Sequence, residues 1–284
     1  MMRAANLHAS KCGSSIISML SIPKKDENNM EKLQYGNWIR RKILWVLGLT
    51  SLALVILAVL PLPAVVRILG VVLGAAALAS FLYPLYSYAM FSPRGGNIQE
   101  KFYDLILNHV EKNSVGKVLD IGTGNGILAI KAALRNPAAQ VTGVDMWGKD
   151  WEYSKSICEQ NAQVANVAER IQFKKGDAAS LNYADGTFDV VVSNLTFHEV
   201  KLVKRKSDVM REALRLVKPG GSFAFIDYFY DERYYGDSAG FELLLWSLKL
   251  KNVEIKPLQD VLVFPGLLRH PRAFGKIGIV YGKK

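Results

Sequence analysis

The residues best suited to chemistry in this 284-residue chain sit where apolar runs end. Val118-Leu119-Asp120-Ile121 leads into a loop that turns on Gly122, Gly124 and Gly126, and helix formers resume at Ile127. Glycines let the backbone bend sharply and let a ligand lie against it. The helix start supplies unpaired N–H groups at the positive end of its dipole. Asp120 adds an acceptor for a cationic or hydroxylated ligand. Asp145 follows 25 positions later with Met146 beside it, again at the end of an apolar run. A carboxylate there can accept both hydroxyls of a ribose. Further on come Gly176-Asp177-Ala178, then Asn194, then His198, a candidate base beside a substrate.

The elements that must hold these residues alternate. Residues 98–110 are spaced as a helix. Strands are expected over 117–121, 140–145, 171–175, 188–193, 222–229, 253–258 and 276–281, with helices over 127–134, 153–165, 200–217 and 238–250. Such alternation implies an α/β fold with a mostly parallel, seven-stranded sheet and helices on both faces. Ligands of open parallel sheets lie beyond the carboxyl ends of the strands, and the candidate residues all fall there.

Two ligands suit the glycine loop. Gly124-x-Gly126-x-x-Ala129 satisfies the loose dinucleotide pattern, a weak signal alone. An acid followed by G-x-G-x-G also resembles the first motif of class I S-adenosylmethionine (SAM)-dependent methyltransferases. The resemblance runs on in order from about Gly95 to the C-terminus, through Asp145, Gly176-Asp177-Ala178, the turn Asp185-Gly186-Thr187-Phe188-Asp189 and Leu216-Val217-Lys218-Pro219-Gly220-Gly221. It implies a Rossmann-like sheet with an antiparallel last strand, and SAM as cofactor. By the same resemblance Asp120, Gly122, Gly124 and Gly126 line its methionine part, Asp145 and Met146 its ribose region, and Asp177 and Ala178 its adenine. Asn194 faces the methionine end, and His198 is the catalytic candidate. A nicotinamide-dependent oxidoreductase would share the glycine loop but has no need of Gly176-Asp177-Ala178 or of 218–221. A non-catalytic SAM-binding membrane protein would not need the intact glycine and acid set.

The N-terminal third reads differently. Residues 43–60 carry no charge and residues 64–91 carry only Arg67, each long enough to cross hydrocarbon as a helix. Pro61-Leu62-Pro63 breaks them apart, and Gly70, Gly74 and the alanines 75–77 allow close helix packing. Arg40-Arg41-Lys42 and Arg94 flank the pair, so both ends are expected on the cytoplasmic side, with Tyr83, Tyr86 and Tyr88 as an aromatic belt. The expected organisation is a disordered basic tail over 1–42, a transmembrane hairpin over 43–91, a linker over 92–96 and the methyltransferase domain over 97–284. Met30 opens a more ordinary N-terminus, so residues 1–29 read as a tail from an upstream start.

Net charge is +11, and residues 1–42 hold eight Lys/Arg against three acids. The excess beside the apolar segment is a membrane-surface pattern, and no nucleic-acid-reading motif accompanies it. Two distant cysteines give no disulfide framework; Cys158 reads as packing. No metal-ligand, P-loop or acyl-transfer motif occurs, so no metal site is expected. The reading is a membrane-anchored methyltransferase with its catalytic domain in the cytoplasm, acting on a small-molecule or lipid acceptor. The oligomeric state is left open.

Overall fold

The computed structural model describes residues 32–110, 116–148, 152–269 and 274–284. The expected tail over 1–29 lies outside the described residues.

Helices α1 (Arg41–Val59) and α2 (Ala64–Phe91) form an antiparallel hairpin. Their mean hydropathies are 2.3 and 2.2, and only 6% and 11% of their most apolar windows are buried. They are long and apolar enough to cross a membrane, and their side chains face outward instead of into a core. The small residues act at the contact. A Cβ on Gly70 would lie 3.1 Å from the Ala58 backbone nitrogen, and one on Gly74 would lie 3.6 Å from Leu54. Arg41 Nε donates to Tyr88 Oη at 3.3 Å where the pair enters the rest of the protein.

The hairpin is fastened to the α/β part, not loosely tethered. After α2 the chain folds back on itself, Gly95 N–H donating to Ser92 O (2.9 Å) and Gly96 N–H to Ala89 O (3.2 Å). Phe91 is buried, with its ring 5.1 Å from Trp38 and 5.8 Å from Phe274. The segment ahead of α1 is also built in. Leu33 and Tyr35 are buried, and Tyr35 Oη donates to Glu100 at 2.6 Å. Gln34 N–H donates to Asn161 Oδ1 at 2.9 Å, while Asn125 and Asn161 side-chain amides donate to Gln34 O. Residues 33–39, grouped with the tail on sequence, thus form a strap across the domain.

The sheet contains β1 (Lys117–Ile121), β2 (Gln140–Asp145), β3 (Ile171–Lys175), β4 (Phe188–Asn194), β5 (Val217–Asp227), β6 (Lys251–Pro257) and β7 (Gly278–Lys283). Its order is β3-β2-β1-β4-β5-β7-β6. The first five strands run parallel, and β7 is antiparallel to both neighbours. Helices α3 (Ile98–Asn108), α4 (Ile127–Arg135), α5 (Lys155–Val164), α6 (Lys206–Arg215) and α8 (Ser238–Ser247) follow the order expected, while the one-turn helices α7 (Glu232–Tyr235) and α9 (Leu258–Val261) were not expected. The core lies on both sheet faces, around Phe102, Ile106 and Ile130 on one and Phe223, Phe225 and Met210 on the other. This is the Rossmann-like architecture, with the two apolar helices ahead of it.

Two boundaries differ from expectation by five residues or more. The helix expected over 200–217 starts only at Lys206, because the Lys206 ammonium is drawn onto the carbonyls of Val200 and Val203 and holds 200–205 as a loop. Strand β5 begins at Val217 and not at 222, since Val217 pairs with Phe188 across an irregularity in β4.

Candidate active site

The ends of β1, β2, β3 and β4 converge on one cavity of about 650 Å³, within the range that buries a cofactor-sized ligand. Nine of the ten sequence-derived candidates line it: Asp120, Gly122, Gly124, Asp145, Met146, Asp177, Ala178, Asn194 and His198. Gly126 does not. It starts α4 with φ +82°, and a Cβ there would press on Phe173 at 2.9 Å, so its role is to let the loop pass into the helix.

The loop is positioned by its neighbours. Gly122 has φ +74°, and a Cβ would fall 1.9 Å from Thr196 Oγ1 on the loop after β4. Thr196 Oγ1 itself donates to Ile121 O (3.1 Å), as does Ser193 Oγ (2.9 Å), which ties the β4 end to the β1 end. Asp145 ties the glycine loop to the segment after β2. Its Oδ2 accepts from Gly124 N–H at 2.9 Å and its Oδ1 from Trp147 N–H at 2.7 Å. Each oxygen keeps a lone pair that a ribose hydroxyl could use. Burial raises the Asp145 pKa, and these backbone donors oppose that rise. Trp147 Nε1 and Cys158 Sγ both donate to Gly124 O, at 2.9 and 3.1 Å. Burial pushes the Cys158 thiol up to about 12, which leaves it a neutral donor and no nucleophile.

Asp120 is almost fully enclosed and accepts from Thr123 Oγ1 at 2.7 Å. Burial raises its pKa to about 7, with Asp145 nearby adding to the effect and the Thr123 hydrogen bond opposing it. A cationic ligand group beside it would restore the charged form. Asp177 Oδ1 accepts from Ala179 N–H at 2.9 Å and holds the turn after β3 that carries Ala178. Asn194 Oδ1 is buried with no protein partner and lines the cavity; an acceptor in that state calls for a donor from a ligand or solvent.

His198 lies in a 3₁₀ turn, Phe197–Glu199, and is fixed from the end of β5. Its Nδ1 is 2.7 Å from Asp227 Oδ1, its N–H donates to Asp227 Oδ2 at 3.1 Å, and Nε2 is 3.5 Å from Glu199 Oε1. Tyr228 packs on the ring at 4.7 Å. Burial works against the imidazolium, but the hydrogen bonds to Asp227 and Glu199 outweigh it and raise the pKa to about 9. At neutral pH the ring therefore carries both protons. It offers a donor there, and becomes a base only as pH rises through about 9.

Sequence reasoning missed several wall residues. Tyr35, Trp38, Tyr83 and Ser87 reach the cavity from the strap and α2, and Tyr153 and Trp147 from the loop after β2. Isolated aromatics in a polar stretch have no period to mark them, and their partners lie dozens of residues away.

Residues 112–244 match the family model described as a methyltransferase domain. An arsenite methyltransferase of Aquipseudomonas alcaligenes is 38% identical over 121 residues, 41% of this chain and 34% of that protein. A ubiquinone/menaquinone biosynthesis C-methyltransferase of Cereibacter sphaeroides is 29% identical over 133 residues, 47% of this chain and 50% of that protein. The chain thus spans half or less of the length of these curated relatives. Among solved structures, geranyl diphosphate C-methyltransferase from Streptomyces coelicolor, with S-adenosyl-L-homocysteine bound, aligns with a TM-score of 0.50 at 13% identity. That alignment covers 66% of this chain and 80% of that one, and it supports the fold. The glycine loop, the strand order and these matches agree: residues 112–244 form a SAM-dependent methyltransferase domain.

Proposed function

We propose that the protein moves a methyl group from SAM to a small, lipophilic acceptor at the cytoplasmic face of a membrane, to which the α1–α2 hairpin anchors it. The observation that carries the reading is the convergence of Asp120, the glycine loop, Asp145, Asp177 and Asn194 on one cavity that His198 and Tyr228 also line. Asp145 would hold the ribose, Asp177 and Ala178 the adenine, and Asp120 with the Asn194 carbonyl oxygen the methionine ammonium end. Met146, half exposed beside Asp145, would cover the nucleoside.

SAM supplies an electrophilic methyl on a sulfonium, so the chain has to align an acceptor and exclude water. The Asp227-held His198 would donate to an acceptor oxygen and fix its direction. Tyr228, whose pKa burial raises, would stay neutral and add a second donor. The two apolar helices and their basic flanks support membrane anchoring with the site on the positive side.

Calorimetric titration of the purified full chain with SAM, S-adenosylhomocysteine and NADH tests the cofactor half. Micromolar binding of the first two and none of NADH is expected. Binding of NADH alone would overturn the reading. A cysteine introduced at Leu62 should be labelled by a membrane-impermeant maleimide only from outside the cell. Labelling from the cytoplasm alone would overturn the topology.

A further inference from the structure

The cavity does not stop at the α/β domain. Tyr83, Ser87 and Phe91 of α2 line it, spaced four residues apart on one helix face. Their depth follows from the hairpin register. Gly70 packs on Ala58, Gly48 on Phe81, and Arg41 reaches Tyr88, so α2 residue 83 stands level with residues 45–46 of α1. Trp45 there is 70% exposed. Arg41 marks the polar boundary, and Tyr83 lies five residues inside that of Tyr88, about 7 Å deeper at 1.5 Å per residue. The 28 residues of α2 span about 42 Å, against about 30 Å of hydrocarbon. Its last turns therefore belong to the domain, and Tyr83 sits where aromatic residues meet the headgroups.

A second element that lines the cavity has the composition of a membrane-surface loop. Val200, Lys201 and Leu202 line it from the loop that Lys206 pins. Leu202 is 90% exposed at the loop tip, with Lys204 and Arg205 close behind in sequence. An apolar tip among basic residues suits an anionic interface. The cavity also has apolar walls from Trp38, Phe91, Phe274 and Ile277, and polar groups from His198 and Asp145.

We propose that the hairpin is part of the acceptor site as well as an anchor: the acceptor is a bilayer-resident amphiphile that enters sideways past Tyr83 and Ser87, polar head first, leaving its apolar tail along α2. This rests on the membrane-anchored methyltransferase reading above, and extends it from location to the route and shape of the substrate.

The test uses the full chain in nanodiscs of phosphatidylcholine and phosphatidylglycerol, doped with a C16 alcohol carrying a diazirine near its hydroxyl end. After irradiation, adducts are mapped by mass spectrometry. Adducts on Phe91 and Tyr103, both buried and lining the cavity, are expected beside those on Trp45. Ser87→Phe, which fills the entry, should cut the interior adducts about tenfold and leave Trp45 adducts unchanged. Tyr83→Ala, which widens it, should increase them, so the proposal does not depend on one variant folding. Interior adducts at background in the unmodified chain, or unaffected by either variant, would overturn lateral entry and point to an acceptor arriving from the aqueous side. Titration of the same nanodiscs with S-adenosylhomocysteine separates the two layers of the argument. Normal binding without interior adducts refutes the entry route alone. Absent binding refutes the methyltransferase reading, while the adduct map still decides the route.

Discussion

Replacing Asp227 by Asn keeps an oxygen in place to accept from His198 Nδ1 but removes the negative charge that holds the imidazolium. Asp227 is fully buried and contacts His198 twice, at 2.7 and 3.1 Å. The His198 pKa of about 9 stands above its ordinary 6.5, and at 1.36 kcal/mol per unit this gap is worth about 3 kcal/mol. Because the folded-state value is raised, the stabilisation is fully present below pH 6.5 and is lost as pH rises through about 9. In Asp227→Asn only Glu199 still opposes burial, so His198 should titrate well below 9 and the stability advantage at pH 6 should shrink by up to about 3 kcal/mol. NMR titration of ¹³C-labelled histidine reads this directly, because the chain has four histidines and His198→Gln identifies the signal. A signal that titrates near 6.5 in the unmodified protein, or that Asp227→Asn does not move, would show that Asp227 does not hold His198 protonated.

Asp145→Ala should weaken SAM by about 1–3 kcal/mol, since it strips an acceptor from Gly124 N–H and from the ribose at once; an unchanged dissociation constant by calorimetry would remove Asp145 from the site. SAM affinity should fall as pH drops through about 7, where Asp120 takes up a proton and can no longer offset a cationic ligand; a flat affinity between pH 8 and 6 would count against its placement beside the ammonium. Removing residues 1–31 should leave SAM binding intact. Removing residues 1–91 should abolish it, because the deletion also takes Gln34, Tyr35, Trp38 and Phe91 away from Asn125, Glu100 and the core; normal binding by the shorter fragment would show that the strap is dispensable.

How much could be read from sequence depended on whether a signal was local. Strands β1, β2 and β3 have the expected bounds because each is an apolar or alternating run closed by an acid or a glycine. The cofactor candidates were legible for the same reason: strand ends in a parallel sheet converge whatever the loops do. The loop over 200–205 was misread as helix because nothing local reports that the Lys206 ammonium takes the Val200 and Val203 carbonyls. The surroundings of His198 were half legible: its place after β4 follows from the strand pattern, but its charge is set by Asp227, 29 residues away on β5. The strap over 33–39 gave no signal, since Leu33, Tyr35 and Trp38 are isolated apolar residues whose partners lie on α3, α4 and α5 or beside them.

The proposed methyl transfer from SAM to an acceptor held in the membrane is read in membranes from cells producing the full chain, supplied with [methyl-³H]SAM and then extracted with organic solvent. Label should pass into an organic-soluble product, and should fall to background with Asp145→Ala at limiting SAM. Label that stays wholly in the aqueous and protein fractions, in membranes where the purified chain binds SAM normally, would contradict it.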